Sequence, residues 1–289
     1  MSAVSESIAQ RTTLGLLADH YGCQIEPAFA TNVTVTSLCD TVDSIIPGAL
    51  FVCSEHIADI ERAAQRGAYA VLVPRQWRDR CPQTDIPLVF GDISDHMLGD
   101  LASKMAGTPS NVMAVFALTG ADALTLNEDV NHLADFLHML GNPVAVISAA
   151  GSQSMTRKLD LTYPLGVIEA QRALSVCAED GVAAVILALD DATFTRHALE
   201  SVNVDVLGSR RVVPIEEAAG IKARYAFETE TGLKVTTMTA ESDELSREAP
   251  QIHYDGKAEG LSLVIAMVLA AGVRKNNVRS ALRVASNLK

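Results

Sequence analysis

A chain of 289 residues, 48% hydrophobic and 20% charged, is long enough for one large or two ordinary domains and too apolar for disorder or a low-complexity fibre. Its 23 Lys and Arg against 35 Asp and Glu leave a net charge of −12. That balance excludes the basic face that nucleic acid or an anionic membrane surface demands.

Taken in chain order, the first hundred or so residues carry short β-branched runs at 33–36, 49–53, 70–73 and 88–90, which predict strands. Helical patterns lie between them at 57–66 and 94–106, with Ser54 and Ser94 placed to satisfy the free N–H groups at their starts. The turn-forming stretch 107–111 (GTPSN) marks a boundary, giving a small α/β domain over 1–109 and a second domain over 110–289. In the second, apolar runs at 112–118, 144–148, 182–189, 204–207 and 211–215 alternate with helical patterns at 127–140, 166–179 and 193–201. Continuous apolar strands separated by helices are what a parallel sheet covered on both faces requires. Residues 224–228 and 233–239, around Thr231 and Gly232, predict an antiparallel hairpin. Two helices, 259–271 and 276–286, close the pattern. The longest apolar run, 261–273, is too short for a bilayer span of about 20 residues, so membrane insertion is not expected.

The stretch 115–125 (VFALTGADALT) carries the most chemistry. It sits where an apolar strand becomes a helix, the place where α/β folds bind phosphate. A working phosphate loop needs glycines so that backbone N–H groups can wrap the anion, a lysine to neutralise the β- and γ-phosphates, and a hydroxyl for Mg²⁺. Thr119, Gly120 and Thr125 fit that pattern. Leu124 stands at the lysine position, Ala123 at the adjacent glycine position, and Asp122 adds a negative charge. Further on, Asp190 and Asp191 end an apolar strand as two carboxylates in a Mg²⁺ site would; the competing reading is that Asp191 caps a following helix. His132 and His138 are six apart on one helix and do not share a face as metal ligands would. The five Cys are an odd set without a C-x-x-C pair, which points to reduced thiols. With no basic start and apolar core at the N-terminus, a cytoplasmic location is expected.

In ordered fragments the chain resembles the Mur ligase family, most closely its tripeptide-synthetase branch. Asp40, Pro47, Gly48, Leu50 and Phe51 match the D-S-R…P-G-x-L-F-V signature, and 67–73 (GAYAVLV) is similar to the G-A-x-A-V-L-V strand. The stretch 118–126 falls where that family has T-G-T-N-G-K-T-T. Thr162, Tyr163 and Pro164 lie at T-T-P, followed by Gln171, and 181–187 (GVAAVIL) resembles the strand before E-x-S-S. Gly256 and the helix after it resemble the close of the central domain. The resemblance implies a small UDP-binding-like domain followed by a parallel-sheet, phosphate-loop-type central domain. The third, ligase domain is expected to be absent, because the chain stops at Lys289. It also implies that Asp40 and Thr41 in the first domain, and Ser152, Arg157 and Thr162 in the second, would face substrate.

The departures fall on catalytic positions. Family enzymes form an acyl-phosphate from ATP and a carboxylate, then let an amine displace the phosphate. Here the loop lysine is Leu124, the metal-binding glutamate is Ala188, the following serines are Asp190 and Asp191, the asparagine facing nucleotide is Glu259, and the arginine of D-S-R is Val42. No segment supplies the carbamylated lysine. Losing one preorganised donor costs about 10²–10³ in rate. The expectation is therefore a truncated, degenerate Mur-ligase-like protein without catalysis or cofactor, with a binding or regulatory role in peptidoglycan precursor synthesis. Two alternatives stay open. One is a divergent ligase that uses ATP and Mg²⁺ with a partner subunit to add an amino acid to a UDP-N-acetylmuramoyl peptide. The other is a structural scaffold. The expected partner is a cell-wall synthesis enzyme or a second copy of the chain, bound through the apolar C-terminal helices.

Overall fold

Residues 12–230, 232–249 and 258–287 are described in the computed structural model, and they fall into two units, Met1–Thr108 and Pro109–Lys289. The first contains β1 (Thr12–Thr13), α1 (Leu14–Tyr21), β2 (Gln24–Glu26), β3 (Thr34–Val35), β4 (Ser37–Cys39), β5 (Ala49–Val52), α2 (Asp59–Gln65), β6 (Ala70–Pro74), β7 (Leu88–Gly91) and α3 (Asp95–Met105). Its sheet runs β2-β7-β6-β5-β4, all parallel except β2, which pairs antiparallel with β7. Every residue of β5 is buried, as a strand covered on both faces must be. Phe51, Val71, Val73 and Phe90 form the centre of that core.

Ser94 caps α3 as its position predicts, its hydroxyl accepting the Met97 N–H at 3.2 Å. Ser54 does not cap α2. That helix begins only at Asp59, without a side-chain cap, because a turn closed by the Asp59 N–H on the His56 carbonyl intervenes. Helix α1, which no pattern above signalled, is held by Thr13 at its start and by Gly22 at its end. Gly22 sits at φ 64°, a left-handed conformation that costs little only without a Cβ.

The second unit contains β8 (Ala114–Leu118), α4 (Ala123–Met139), β9 (Val144–Ile147), β10 (Ser152–Ser154), β11 (Arg157–Leu159), α5 (Val167–Glu179), β12 (Ala184–Ala188), β13 (Val206–Gly208), α6 (Ile215–Tyr225), β14 (Lys234–Thr236), α7 (Ala240–Arg247), α8 (Ala258–Ala270) and α9 (Lys275–Asn287). Its seven strands run β11-β10-β9-β12-β8-β13-β14. The five from β9 to β14 are parallel, and β10 and β11 add an antiparallel edge. The side chains of each central strand alternate between two cores. Phe116, Leu118, Ile186 and Ala188 pack with Leu126, Leu133 and Val264 of α4 and α8. Val115, Ala117, Val185 and Leu187 pack on the other face with Leu174 and Phe194. The apolar run 261–273 is largely the buried helix α8, and among the described residues no helix is long and apolar enough to cross a membrane.

Three sequence expectations are corrected here. Residues 193–201 are not a helix but a series of turns. Thr195 donates its N–H to Leu165, and His197 and Ser201 both take φ 59°, which interrupts helical geometry. Residues 211–215 are not a strand: they lead through Pro214 into α6, the sheet position being filled by β13. No antiparallel hairpin forms at 224–239. Arg224 and Tyr225 end α6, and β14 pairs parallel with β13, because the free edge of β13 offers a ready hydrogen-bonding partner. Thr231 and Gly256 lie outside the described residues.

Leu133 is fully buried between α4 and the sheet. Leu133→Ala is expected to cost about 2–5 kcal/mol, measured as a fall in the midpoint of denaturant unfolding with an unchanged slope.

Candidate functional site

In open α/β sheets the crevice for ligands lies beyond the carboxyl ends of the strands, where the chain leaves neighbouring strands in opposite directions. Here β8 leads through α4 towards β9 on one side of the sheet, and β13 leads through α6 towards β14 on the other. The two strands are paired, and the Thr119 N–H donates to the Gly208 carbonyl at 3.0 Å just past their ends. Thr119, Gly120 and Thr125 therefore gather at this point, at the start of α4.

The N-terminus of α4 is already occupied by the chain itself. Asp122 is its N-cap, and its carboxylate accepts the Thr125 N–H at 2.9 Å. That hydrogen bond holds the Asp122 carboxyl below its ordinary range, helped by the Thr125 hydroxyl, the Leu124 N–H and the charge of Arg210. The donors that would wrap a phosphate thus serve an internal anion. Leu124 projects into solvent, 72% exposed, and supplies no cation. Gly120 has a packing role: a Cβ there would lie 3.2 Å from that of Leu126, close enough that Leu126 would have to give by a few tenths of an ångström.

Arg210, just beyond β13, is a cation whose charge reaches Asp122 and that the sequence did not single out. Its Nε and Nη2 grip Asp129 at 2.7–3.0 Å, and Glu128 stands 3.6 Å away. Asp129 is buried on the inner face of α4. Burial raises its carboxyl above the ordinary range, and Arg210 offsets part of that rise. Burial also lowers the neighbouring His132. The available sequence signal was an acid on the apolar stripe of Leu126, Val130 and Leu133, where a charge needs a partner.

Asp190 and Asp191 follow β12, whose next residue, Leu189, donates to the Leu118 carbonyl at 2.8 Å. Asp190 closes a turn by accepting the Thr193 N–H at 2.7 Å; this capping role falls to Asp190, and Asp191 instead forms an ion pair with Arg224. Among the described residues no three His, Cys, Asp or Glu side chains are placed to share a metal ion.

The remaining candidates lie on other elements. Ser152 is buried on β10, its hydroxyl engaged by the Ser148 N–H at 2.9 Å and by Tyr163. Arg157 on β11 pairs with Asp180 at 2.5 Å. Thr162 is exposed in the following loop. In the first unit, Asp40 follows β4 at the surface, and Thr41 bonds to the Ser44 hydroxyl at 2.7 Å. Glu259 has no described side chain. Burial pushes the Cys53 thiol up to about 11 and Cys177 up to about 12, so neither supplies a thiolate nucleophile near neutral pH.

No protein-family model matches the chain. It is 30% identical over 166 residues, 56% of its length, to the UDP-N-acetylmuramoyl-L-alanyl-D-glutamate–2,6-diaminopimelate ligase of Pseudomonas putida. It is 23% identical over 120 residues, 40% of its length, to the ligase of the same name from Lactiplantibacillus plantarum. The matched regions span 31% and 23% of those two relatives, well short of their full length. Among solved structures, the UDP-N-acetylmuramoylalanyl-D-glutamyl-2,6-diaminopimelate–D-alanyl-D-alanyl ligase of Acinetobacter baumannii aligns with a TM-score of 0.54 at 11% identity, covering 94% of this chain and 68% of that one. A further crystal structure of a ligase from that organism gives 0.55 at 13% identity, with 94% and 67% covered. The chain is Mur-ligase-like in fold and in part of its sequence.

Two outcomes follow from this geometry. Because the Asp122 carboxyl titrates lower when folded, its contribution to stability is present above the ordinary carboxylate range and is lost as pH falls through the folded value. Asp122→Ala is expected to melt below the parent at about pH 7, with the gap narrowing, but not closing, as pH falls through the folded value of the Asp122 carboxyl. Asp122→Asn, which keeps a capping oxygen, should lose the pH dependence and little else. For the ion pair, Arg210→Met is expected to cost about 3–5 kcal/mol by leaving the buried Asp129 carboxylate unpaired. Asp129→Leu should cost less, because Arg210 is partly exposed and keeps Glu128. The double variant should recover most of the loss of Arg210→Met; chemical denaturation measures all three.

Proposed function

We propose that this Mur-ligase-like chain is a non-catalytic cytoplasmic protein that binds or regulates in peptidoglycan precursor synthesis, without a nucleotide cofactor. The observation that carries the reading is the start of α4, where the Asp122 carboxylate takes the N–H of Thr125 and an exposed Leu124 stands in place of a cation. Phosphoryl transfer is catalysed almost entirely by positioning and by neutralising charge on the transferring group. Here the nearby guanidinium of Arg210 is already neutralised by Asp129 and Glu128. Asp190 and Asp191 are engaged with a turn and with Arg224, which leaves a metal-bound triphosphate little to hold. The UDP-N-acetylmuramoyl peptides named for the relatives are the ligand class to test first.

Calorimetric titration with ATP and Mg²⁺ is expected to give no saturable binding up to about 1 mM. Micromolar affinity that disappears in Thr125→Ala would replace this reading with that of a divergent ligase. Ala123→Gly combined with Leu124→Lys is expected to recover at most weak phosphate binding, because the metal ligand at position 188 remains alanine.

A further inference from the structure

Three large apolar side chains stand in water around the mouth of the crevice: Leu124 is 72% exposed, Val212 74% and Ile215 86%. They lie on the segments that follow the paired strands β8 and β13. Leu124 lies one turn before Glu128 on α4, and Glu128 approaches Arg210. Val212 follows that arginine by two positions, and Ile215 opens α6. The exposed Val112, by contrast, precedes β8 at the opposite end of the strand. Apolar side chains that gather into one patch mark an interaction site.

The charges around these side chains are one-sided. Arg210 is held by Asp129 and Glu128, and Arg211 by Glu217. Among the described residues, Asp122, Asp190 and Glu216 add carboxylates without an ion pair. The face is therefore apolar with an acidic rim, on a chain of net charge −12. A second copy would bring the same acidic rim, and like charges oppose that pairing. A cationic partner gains from it.

We infer that this carboxyl-edge face is a docking surface for a basic amphipathic helix of another protein. The apolar stripe of that helix covers Leu124, Val212 and Ile215, while its lysines or arginines meet Asp122, Asp190 and Glu216. This deepens the non-catalytic reading and is separable from it. Nucleotide binding overturns that reading, whereas peptide binding indifferent to the face overturns this one alone.

The probe is a fluorescein-labelled Leu/Lys peptide of about 18 residues with helical periodicity, titrated against the full chain by anisotropy at about 150 mM salt. Saturable binding is expected, weakened about tenfold or more in Leu124→Ser/Ile215→Ser. Val112→Ser should leave the affinity unchanged, and a Leu/Glu peptide should not bind. Both substituted positions are exposed, so the melting temperature of the double variant should match the parent. No saturable binding, or equal affinity for parent and double variant, overturns the inference. So does sedimentation that shows a dimer dissolved by the same substitutions, which would assign the face to a second copy.

Discussion

Strand β8 is hydrogen-bonded on both edges, to β12 and to β13, and packed on both faces by side chains that alternate between two cores. Such a strand has no freedom to slip. A shift of one residue would move Phe116 and Leu118 to the face that Val115 and Ala117 occupy. Its fixed register also fixes where the chain leaves the sheet, and therefore where α4 begins. The crevice, the Asp122 cap and the reach of Arg210 onto α4 all depend on that placement. Even the amino end is pinned: the Val115 N–H donates to the Asp205 carboxylate at 2.8 Å.

At the start of α4 the fold offers partial positive charge and free N–H groups, and what fills them is a matter of residue type alone. In a phosphate loop the occupant is external, and a lysine assists. Here it is the carboxylate of Asp122, covalently attached and so at very high effective concentration. The same backbone that could cradle an anion is satisfied by one from within. With Leu124 exposed at this start and Arg210 neutralised by Asp129 and Glu128, the local chemistry is apolar and acidic.

Much of the architecture was legible from patterning. The central strands of both sheets, helices α2 to α5 and the two closing helices lie close to the runs that predict them, because continuous apolar segments leave few alternatives to a covered parallel sheet. What failed were short segments whose conformation is imposed from outside. Residues 193–201 carry a helical pattern, yet Asp190 closes the preceding turn and Leu165 takes the Thr195 N–H. Residues 233–239 read as half of a hairpin, yet the open edge of β13 claims them in parallel. Helices α6 and α7 went unread because their exposed faces are mixed and their lengths modest.

Sequence alone determined the two-unit α/β class, the strand-to-helix turn at 119–125, and the residue types there: an aspartate, an alanine and a leucine at 122–124, with no lysine. These follow from residue identity and local periodicity, which need no partner. Only the tertiary structure decided that Asp122 caps the helix it begins, that Asp190 closes a turn, and that Arg210 is spent on the buried Asp129. It also decided that Leu124, Val212 and Ile215 stand exposed on the segments that follow the paired strands β8 and β13. The two turns are local contacts, three residues apart, whose choice among neighbouring acids the pattern left open. The Arg210–Asp129 pair joins residues brought near by the pairing of β8 with β13, and separation along the chain carries no record of which strands lie side by side.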